Sequence, residues 1–348
     1  MSAHITIALD AMGGDDAPGI VVHGAEIASQ RYPDVRFLMF GREQEVMPLL
    51  NQTTRLKDVV EFIHTDDKVL SSDKPAIALR SGRKSSMRLA INAVHDGRAD
   101  GIVSAGNTGA LMAMSKFVLK TLPGVDRPAI ASFFPTLRGE SLMMDLGANL
   151  SCDADNLVDF AVMGNAFARC VLGVQEPSVG ILNVGSEDVK GHEYLQVASS
   201  MLRQANLPGE FVGFVEGDDI GKGTVDVIVT DGFTGNVALK TAEGTAKLIT
   251  EFFRQTFKSS FLASLGYILA SSALNKLKKR VDPRLYNGAI FLGLNGIAVK
   301  SHGGTDAIGF ANAIGVAVDM RDQDIVRKIR EDFDSLTRDP INEQAAFE

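Results

Sequence analysis

Apolar runs that break off in a glycine turn recur along this chain. The run 5–9 closes in Asp10-Ala11-Met12-Gly13-Gly14-Asp15, and Ile102-Val103 closes in Ser104-Ala105-Gly106-Asn107-Thr108-Gly109. A strand read over 142–149 ends in Asp145, Gly147 and Asn149, and one over 179–184 runs into Gly185, Ser186 and Lys190. The run 225–230 leads to Asp231-Gly232-Phe233-Thr234-Gly235-Asn236. Each turn is followed by a stretch of helical pattern, so the chain reads as strand–turn–helix units, the mark of an α/β sheet flanked by helices. Ligands of such sheets bind at the carboxyl ends of the strands. Small residues there admit a ligand close to the backbone, and each helix start offers unpaired N–H groups to an anion. The expectation is one polar, anion-binding cleft shared by the five turns.

Further strands are expected at 35–40, 59–64, 128–135, 211–215 and 290–292 and from Ile297, with helices between them. With 348 residues and 45% hydrophobic content, one catalytic α/β domain over 1–336 with a frayed tail at 337–348 accounts for the length. The net charge of −8 argues against general nucleic-acid binding. The two cysteines have no paired spacing, and no cluster has metal-ligand spacing, so neither a disulfide framework nor a metal is expected. No G-x-G-x-x-G follows the first strand and no Walker sequence occurs, so a nucleotide site is not supported and no cofactor is expected. The first strand begins without a leader, which reads as a bacterial-type cytoplasmic enzyme.

Two segments stand apart. Pro75 opens a helix-like run with Arg80, Arg83, Lys84 and Arg88, four cations in nine positions of an acidic protein; it reads as a solvated face or the wall of a polar cleft. In the excursion at about 245–285, Phe253, Phe257, Phe261, Leu265 and Leu269 recur every four residues, and Lys276, Lys278, Lys279 and Arg280 follow. The segment is too polar to span a membrane. An apolar face beside a basic cluster fits a helix, or a bent helical pair, lying on an anionic membrane surface through Phe261, Leu262, Leu265, Ile268 and Leu269. A dimer interface or core helix is the alternative.

Taken in order, Leu9 to Asp15, Ser104 to Leu111, Asp145 to Asn149, Val189-Lys190-Gly191, Asp231 to Asn236, Tyr286-Asn287-Gly288-Ala289 and Lys300-Ser301-His302-Gly303 resemble the bacterial phosphate acyltransferase (PlsX) family. The resemblance implies a Rossmann-like fold related to phosphotransacetylases and isocitrate-dehydrogenase-type enzymes. It implies transfer of an acyl group from acyl-(acyl carrier protein) to inorganic phosphate, giving acyl phosphate for phospholipid synthesis. It further implies a homodimer, peripheral association with the inner face of the cell membrane, and a downstream membrane glycerol-3-phosphate acyltransferase as a candidate partner.

That reaction needs bound phosphate, a polarised thioester carbonyl and a stabilised leaving thiolate. Lys190 is the candidate cation at phosphate or oxyanion. Ser104, Asn107, Thr108, Thr234 and Asn236 are neutral donors, with backbone N–H groups from Gly13, Gly14, Gly106, Gly109, Gly232 and Gly235, and Asn149 beside them. Asp10 and Asp231 would orient donors. His302 is the candidate to protonate the thiolate, or else a structural imidazole bonding its turn. Cys152 has no activating neighbour in sequence, and Ser104 lacks the G-x-S-x-G context, so direct attack by phosphate is expected. Arg80, Arg83, Lys84 and Arg88 are the expected landing patch for the acidic carrier. Competing readings are a phosphotransacetylase-like enzyme using acyl-CoA, a decarboxylating dehydrogenase of related fold, and a non-enzymatic membrane scaffold.

Overall fold

The computed structural model describes residues 4–280, 282 and 284–338, with side chains described outside 275–280 and 336–338. Among these residues the strands are β1 (Thr6–Asp10), β2 (Arg36–Gly41), β3 (Val60–His64), β4 (Gly101–Ser104), β5 (Ala129–Pro135), β6 (Glu140–Met144), β7 (Ser178–Leu182), β8 (Glu210–Val215), β9 (Val227–Val229), β10 (Ala289–Leu292) and β11 (Ile297–Lys300). All join one sheet in the order β3-β2-β1-β4-β11-β10-β5-β6-β9-β7-β8. Helices pack on both faces, so the sheet is α/β and Rossmann-like.

The strand interiors are apolar on both sides, as a sheet covered on both faces requires. Alternate residues divide between two cores. Ile7, Leu9, Val103, Met144, Val229 and Val299 face one layer of helices. Ala8, Ile102, Met143, Ile228 and Ala298 face the other.

Direction matters more than order. β1, β2, β3, β4 and β11 are mutually parallel. β10 runs antiparallel to both β11 and β5, and β5 turns back antiparallel into β6. β6, β9, β7 and β8 then run parallel to one another. The two halves of the sheet therefore point opposite ways. Each has its own switch of strand order, between β1 and β4 in one and between β7 and β9 in the other, where a doubly wound sheet opens a crevice. The five turns expected to share a cleft fall into two groups, linked by the helix that opens at Gly232 and carries Lys240 to His302. The turns after β1 and β4 meet at the first crevice, joined by the turn after β11. Those after β6, β7 and β9 meet at the second.

Several local expectations are refined. The strand over 142–149 stops at Met144, because 145–149 is a turn wound on the Asp145 carboxylate. The basic run is two helices, Pro75–Ser81 and Ser86–His95, with Ser85 capping the second through its hydroxyl and the Arg88 N–H. The helix expected near Val237 begins at Gly232, capped by Asp231, and runs 27 residues to Lys258. The last helix is Ile325–Arg338, so 337 and 338 are helical and the remaining expected tail, 339–348, lies outside the described residues.

The excursion is a helical hairpin, Gly232–Lys258 followed by Phe261–Arg280. Ser260 turns the corner, its hydroxyl accepting the Ala263 N–H at 3.1 Å. The four-residue stripe is thus split. Phe253 and Phe257 lie on the outgoing helix and Phe261, Leu265 and Leu269 on the returning one, with Phe257 edge-on to Tyr267 at 5.4 Å between ring centroids. Phe261, Leu262, Ile268 and Leu269 are exposed, Phe261 by 83% and Leu269 by 80%. Among the described residues no helix is long and apolar enough to cross a membrane.

Candidate active site

At the first crevice the topology aligns three reactive side chains. Lys300, the last residue of β11, is in register with Ser104, the last of β4. Leu9 is in register with Val103, which places Asp10 beside Ser104. In parallel neighbours residues in register face the same side, so Asp10, Ser104 and Lys300 form a row across three adjacent strands. A fourth group comes from above: Ser86, the first residue of its helix, donates its hydroxyl to Asp10 Oδ1 at 2.6 Å, while Ser104 donates to Oδ2 at 2.7 Å. All four residues are buried.

Burial pushes the Asp10 carboxyl upward despite the two hydroxyls and the nearby Lys300. Burial also pulls the Lys300 ammonium down to about 8, against the opposing pull of Asp10 and Asp15. Lys300 Nζ donates to the Ala105 and Ser301 carbonyls, stitching the turn after β4 to the turn after β11. The turn after β1 closes on both. A Cβ on Gly13 would stand 2.6 Å from Asp10 Oδ2 and 2.7 Å from the Gly106 nitrogen, so only glycine fits there. Gly14 is at φ +117, and the Asp15 N–H bonds to the Gly303 carbonyl at 2.9 Å.

Over this row begins the helix Thr108–Leu119. Asn107 caps it, its Oδ1 accepting the Ala110 N–H at 3.0 Å, while its Nδ2 donates to the carbonyls of Leu70, Ser71 and Asp73. The Asn107 amide is therefore spent on structure. The Thr108 and Gly109 N–H groups have no acceptor among the described residues; Gly109 leaves room for Pro75, whose Cγ would stand 2.7 Å from a Cβ there, and Gly106 for Met87, whose Cε would stand at 2.8 Å.

His302 stands at the rim. Its Nδ1 accepts the Gly304 N–H at 3.1 Å, which puts the proton of the neutral ring on Nε2. Partial desolvation and the Lys240 charge hold the imidazole below the usual histidine range. Its backbone N–H is pinned by Asn287 Oδ1 at 2.8 Å, and Asn287 is itself buried and bonded to the Ser301 hydroxyl and the Gly309 carbonyl.

The second crevice collects the other expected residues. Asp145, fully buried, accepts from the Ile130, Gly147, Ala148 and Asn149 N–H groups and from Asn149 Nδ2. Asp231 accepts from the Thr234 N–H and hydroxyl, with the Tyr194 hydroxyl at 3.4 Å. Asn236 donates to the Leu146 carbonyl, and the Gly232 N–H donates to the Asn149 carbonyl. The side chains of Asn149, Thr234 and Asn236 thus hold the turns themselves. Lys190 is exposed on the loop after β7; among the described residues only its backbone is bonded, to Glu187, Asn183 and Gln196. Cys152 nearby is pushed up to about 12 by burial and Asp145, which keeps it a thiol.

A family model described as a fatty acid synthesis protein matches residues 5–328. A phosphate acyltransferase from Rhodospirillum centenum is 64% identical over 336 residues, covering 97% of this chain and 95% of that protein. One from Paramagnetospirillum magneticum is 60% identical over 336 residues, covering 97% and 96%. The chain belongs to the phosphate acyltransferase family. It is therefore an acyltransferase, with phosphate and an acyl donor as substrates. Solved phosphotransacetylases share the fold: that of Streptococcus pyogenes at TM-score 0.61 and 15% identity, over 92% of this chain and 95% of that one, and EutD of Staphylococcus aureus at 0.57 and 18%, over 91% and 94%.

For a phosphate acyltransferase the first crevice holds residues that the sequence reading passed over. Lys300 and Asn287 were in view only as members of the matching strings, and Ser86 only as a position inside the basic run. A lysine closing the otherwise apolar Ile297-Ala298-Val299 was the available signal, because a buried strand tolerates a charge only where it is paired.

Of the basic run, Arg80, Arg83 and Arg88 line an open groove of about 590 Å³ with Leu79, Asn92 and Phe117. Lys84 is exposed beside it, its carbonyl accepting the Thr65 hydroxyl.

Proposed function

We propose that this enzyme makes acyl phosphate for phospholipid synthesis from acyl-(acyl carrier protein) and inorganic phosphate, by direct attack of phosphate on the thioester at the first crevice. The observation that carries this reading is the Asp10–Ser104–Lys300 row beneath the open start of the helix Thr108–Leu119. Phosphate sits on the Thr108 and Gly109 N–H groups, where a helix start favours an anion. The Lys300 charge acts from below through the two peptide units it holds, so the phosphate is fixed without being quenched by a direct ion pair. A phosphate oxygen attacks the thioester carbon, the C–S bond breaks, and the thiolate leaves to take up a proton. His302 Nε2–H is a neutral donor set for the oxyanion. A depressed imidazole is a better hydrogen-bond donor than proton donor at pH 7, so this role replaces protonation of the leaving group. At the second crevice Lys190, on the loop after β7, is the cation for a second anion, while Asp231 and Asn236 hold the turn after β9, and the carrier docks on Arg80, Arg83, Lys84 and Arg88.

The test is acyl phosphate formation by the purified protein with palmitoyl-(acyl carrier protein) and palmitoyl-CoA in parallel. Product from the carrier thioester alone, with no acyl-enzyme in an acid quench, is the expected result. Better use of CoA transfers the reading to the phosphotransacetylase-like alternative, and a trapped acyl-enzyme removes direct attack.

In the same reading the enzyme is a cytoplasmic homodimer resting on the inner face of the membrane through the hairpin, near the downstream acyltransferase. The exposed Phe261, Leu262, Leu265, Ile268 and Leu269 support this. Leu265→Glu with Leu269→Glu is expected to cut binding to anionic vesicles at least tenfold, measured by sedimentation, while turnover of a soluble donor stays within twofold. Vesicle binding that survives with activity lost assigns the hairpin to the dimer instead.

A further inference from the structure

We propose that the groove of Arg80, Arg83, Arg88 and Phe117, inside the carrier-docking patch, is the part of that patch that holds the phosphate of the donor's phosphopantetheine arm. The inference rests on the acyl-thioester donor reading above and names the part of the donor that this groove reads.

Three observations converge. The first is charge without a counterion. Many arginines of this acidic chain sit on carboxylates, as Arg98 on Glu61, Arg203 on Asp188 and Arg321 on Asp100, and Arg31, Arg55, Arg138 and Arg330 are held singly by neutral oxygens; what sets Arg80, Arg83 and Arg88 apart is that they line one groove together. Among the described residues Arg80, Arg83 and Arg88 have no carboxylate within ion-pair reach, although they are neighbours. Burial and the Arg83 charge both work against the Arg88 guanidinium. Like charges gathered on a concave surface are stabilised by an anion that enters it, and guanidinium groups match phosphate oxygens in pairs.

The second is the wall. Phe117 is 53% exposed, with the Arg88 guanidinium 5.3 Å and the Lys120 ammonium 4.8 Å from its ring centroid. Arg88 is further oriented by Asn92 Oδ1 at 3.0 Å. A groove of about 590 Å³ is far larger than inorganic phosphate. It suits a phosphate ester whose carbon chain starts with a branched apolar group, as the dimethyl carbon of pantetheine does beside its phosphate. That carbon can pack on Phe117 and the Leu79 side chain while the phosphate meets the arginines.

The third is reach. Phe117 lies nine residues along the helix that opens at Thr108, about 13 Å from the turn at a rise of 1.5 Å per residue. The pantetheine chain, with two amides, is comparable to four extended residues, which span roughly 14 Å. A phosphate in the groove therefore puts the thioester at the first crevice.

The test compares palmitoyl-phosphopantetheine with palmitoyl-pantetheine, which differ only in the phosphate. In the unchanged enzyme kcat/KM is expected to favour the phosphorylated donor at least tenfold, through KM. In Arg83→Gln and in Arg88→Gln the ratio should fall below threefold. The ratio is taken within each protein, so a loss of folded enzyme cancels. A ratio near one in the unchanged enzyme, or a ratio that survives both substitutions, overturns the proposal. So does a variant whose KM for inorganic phosphate rises while its donor ratio holds, since the groove then serves the acceptor. Failure of the carrier reading is separate: it appears as equal use of CoA and carrier thioesters while the phosphate preference remains.

Discussion

Lys300→Met is expected to lower kcat/KM for acyl phosphate formation at least 100-fold, about 2.7 kcal/mol of transition-state stabilisation. The substitution keeps the length and apolar stem of the side chain and removes the charge. Asp10 then lies buried with two hydroxyls and no cation, and the peptide units of Ala105 and Ser301 lose the donor that joins them. The pH dependence separates chemistry from folding. The folded-state pKa of Lys300 is about 8 against an ordinary 10.5. Activity that needs the ammonium falls as pH rises through about 8, and Lys300→Met should lack that limb. The stability contribution of the same group moves the other way. Between about 8 and 10.5 the unfolded chain holds the proton and the folded chain does not, so stability from this group rises with pH. A pH–rate profile set beside thermal melts should show activity falling while the melting temperature does not. A flat profile from pH 7 to 9.5, or a larger loss in Lys190→Met than in Lys300→Met, places the chemistry at the second crevice.

Gly235→Ala is expected to be the most destabilising glycine substitution in the second crevice. A Cβ there would stand 1.9 Å from the Asp145 carbonyl oxygen and 2.9 Å from Thr230 Cγ2. The oxygen is backbone, and its residue is the hub that holds 145–149, so it cannot swing aside as a side-chain tip would. Overpacking typically costs about 1–3 kcal/mol, and a main-chain collision at a hydrogen-bonded hub belongs at or above the top of that range. A drop in melting temperature of roughly 5 °C or more is expected on the scale of a few degrees per kcal/mol. Gly244→Ala is the control. No atom lies within 4 Å of its Cβ position, and it sits inside the helix 232–258, so alanine should stabilise by up to about 1 kcal/mol. Equal melting temperatures for the two variants would mean that the turns at the second crevice yield more easily than their hydrogen bonding indicates.

Much of this was legible in the sequence. The apolar runs and glycine turns marked the strand ends, because a buried strand and a close ligand approach each demand a narrow set of residues. What the pattern could not carry was strand direction. The reversal depends on the hairpin between β5 and β6 and on β10 inserting antiparallel, and residues 135–140 look like any short loop. Hence turns that are alike in sequence, Gly106–Leu111 and Gly232–Val237, fall into different crevices. Asn107, Asn149, Thr234 and Asn236 were legible as donors but not as donors already in use, since the carbonyls they satisfy come from distant or local backbone that composition does not reveal. Lys300 was missed for the converse reason: its partner Asp10 is far away in the chain, and only the β1–β4–β11 register brings them together.

The helix 232–258 is also a lever. Its fulcrum is the Asp231 cap on the second crevice, its short arm reaches Lys240 beside His302, and its long arm ends at the hairpin tip. With a rise of 1.5 Å per residue, Lys240 stands about 12 Å from the fulcrum and Lys258 about 40 Å. A tilt of about 5° that displaces the tip by roughly 3.5 Å therefore displaces Lys240 by about 1 Å. Loads on the tip reach the imidazole reduced more than threefold in distance, through a single rod with no joint between them.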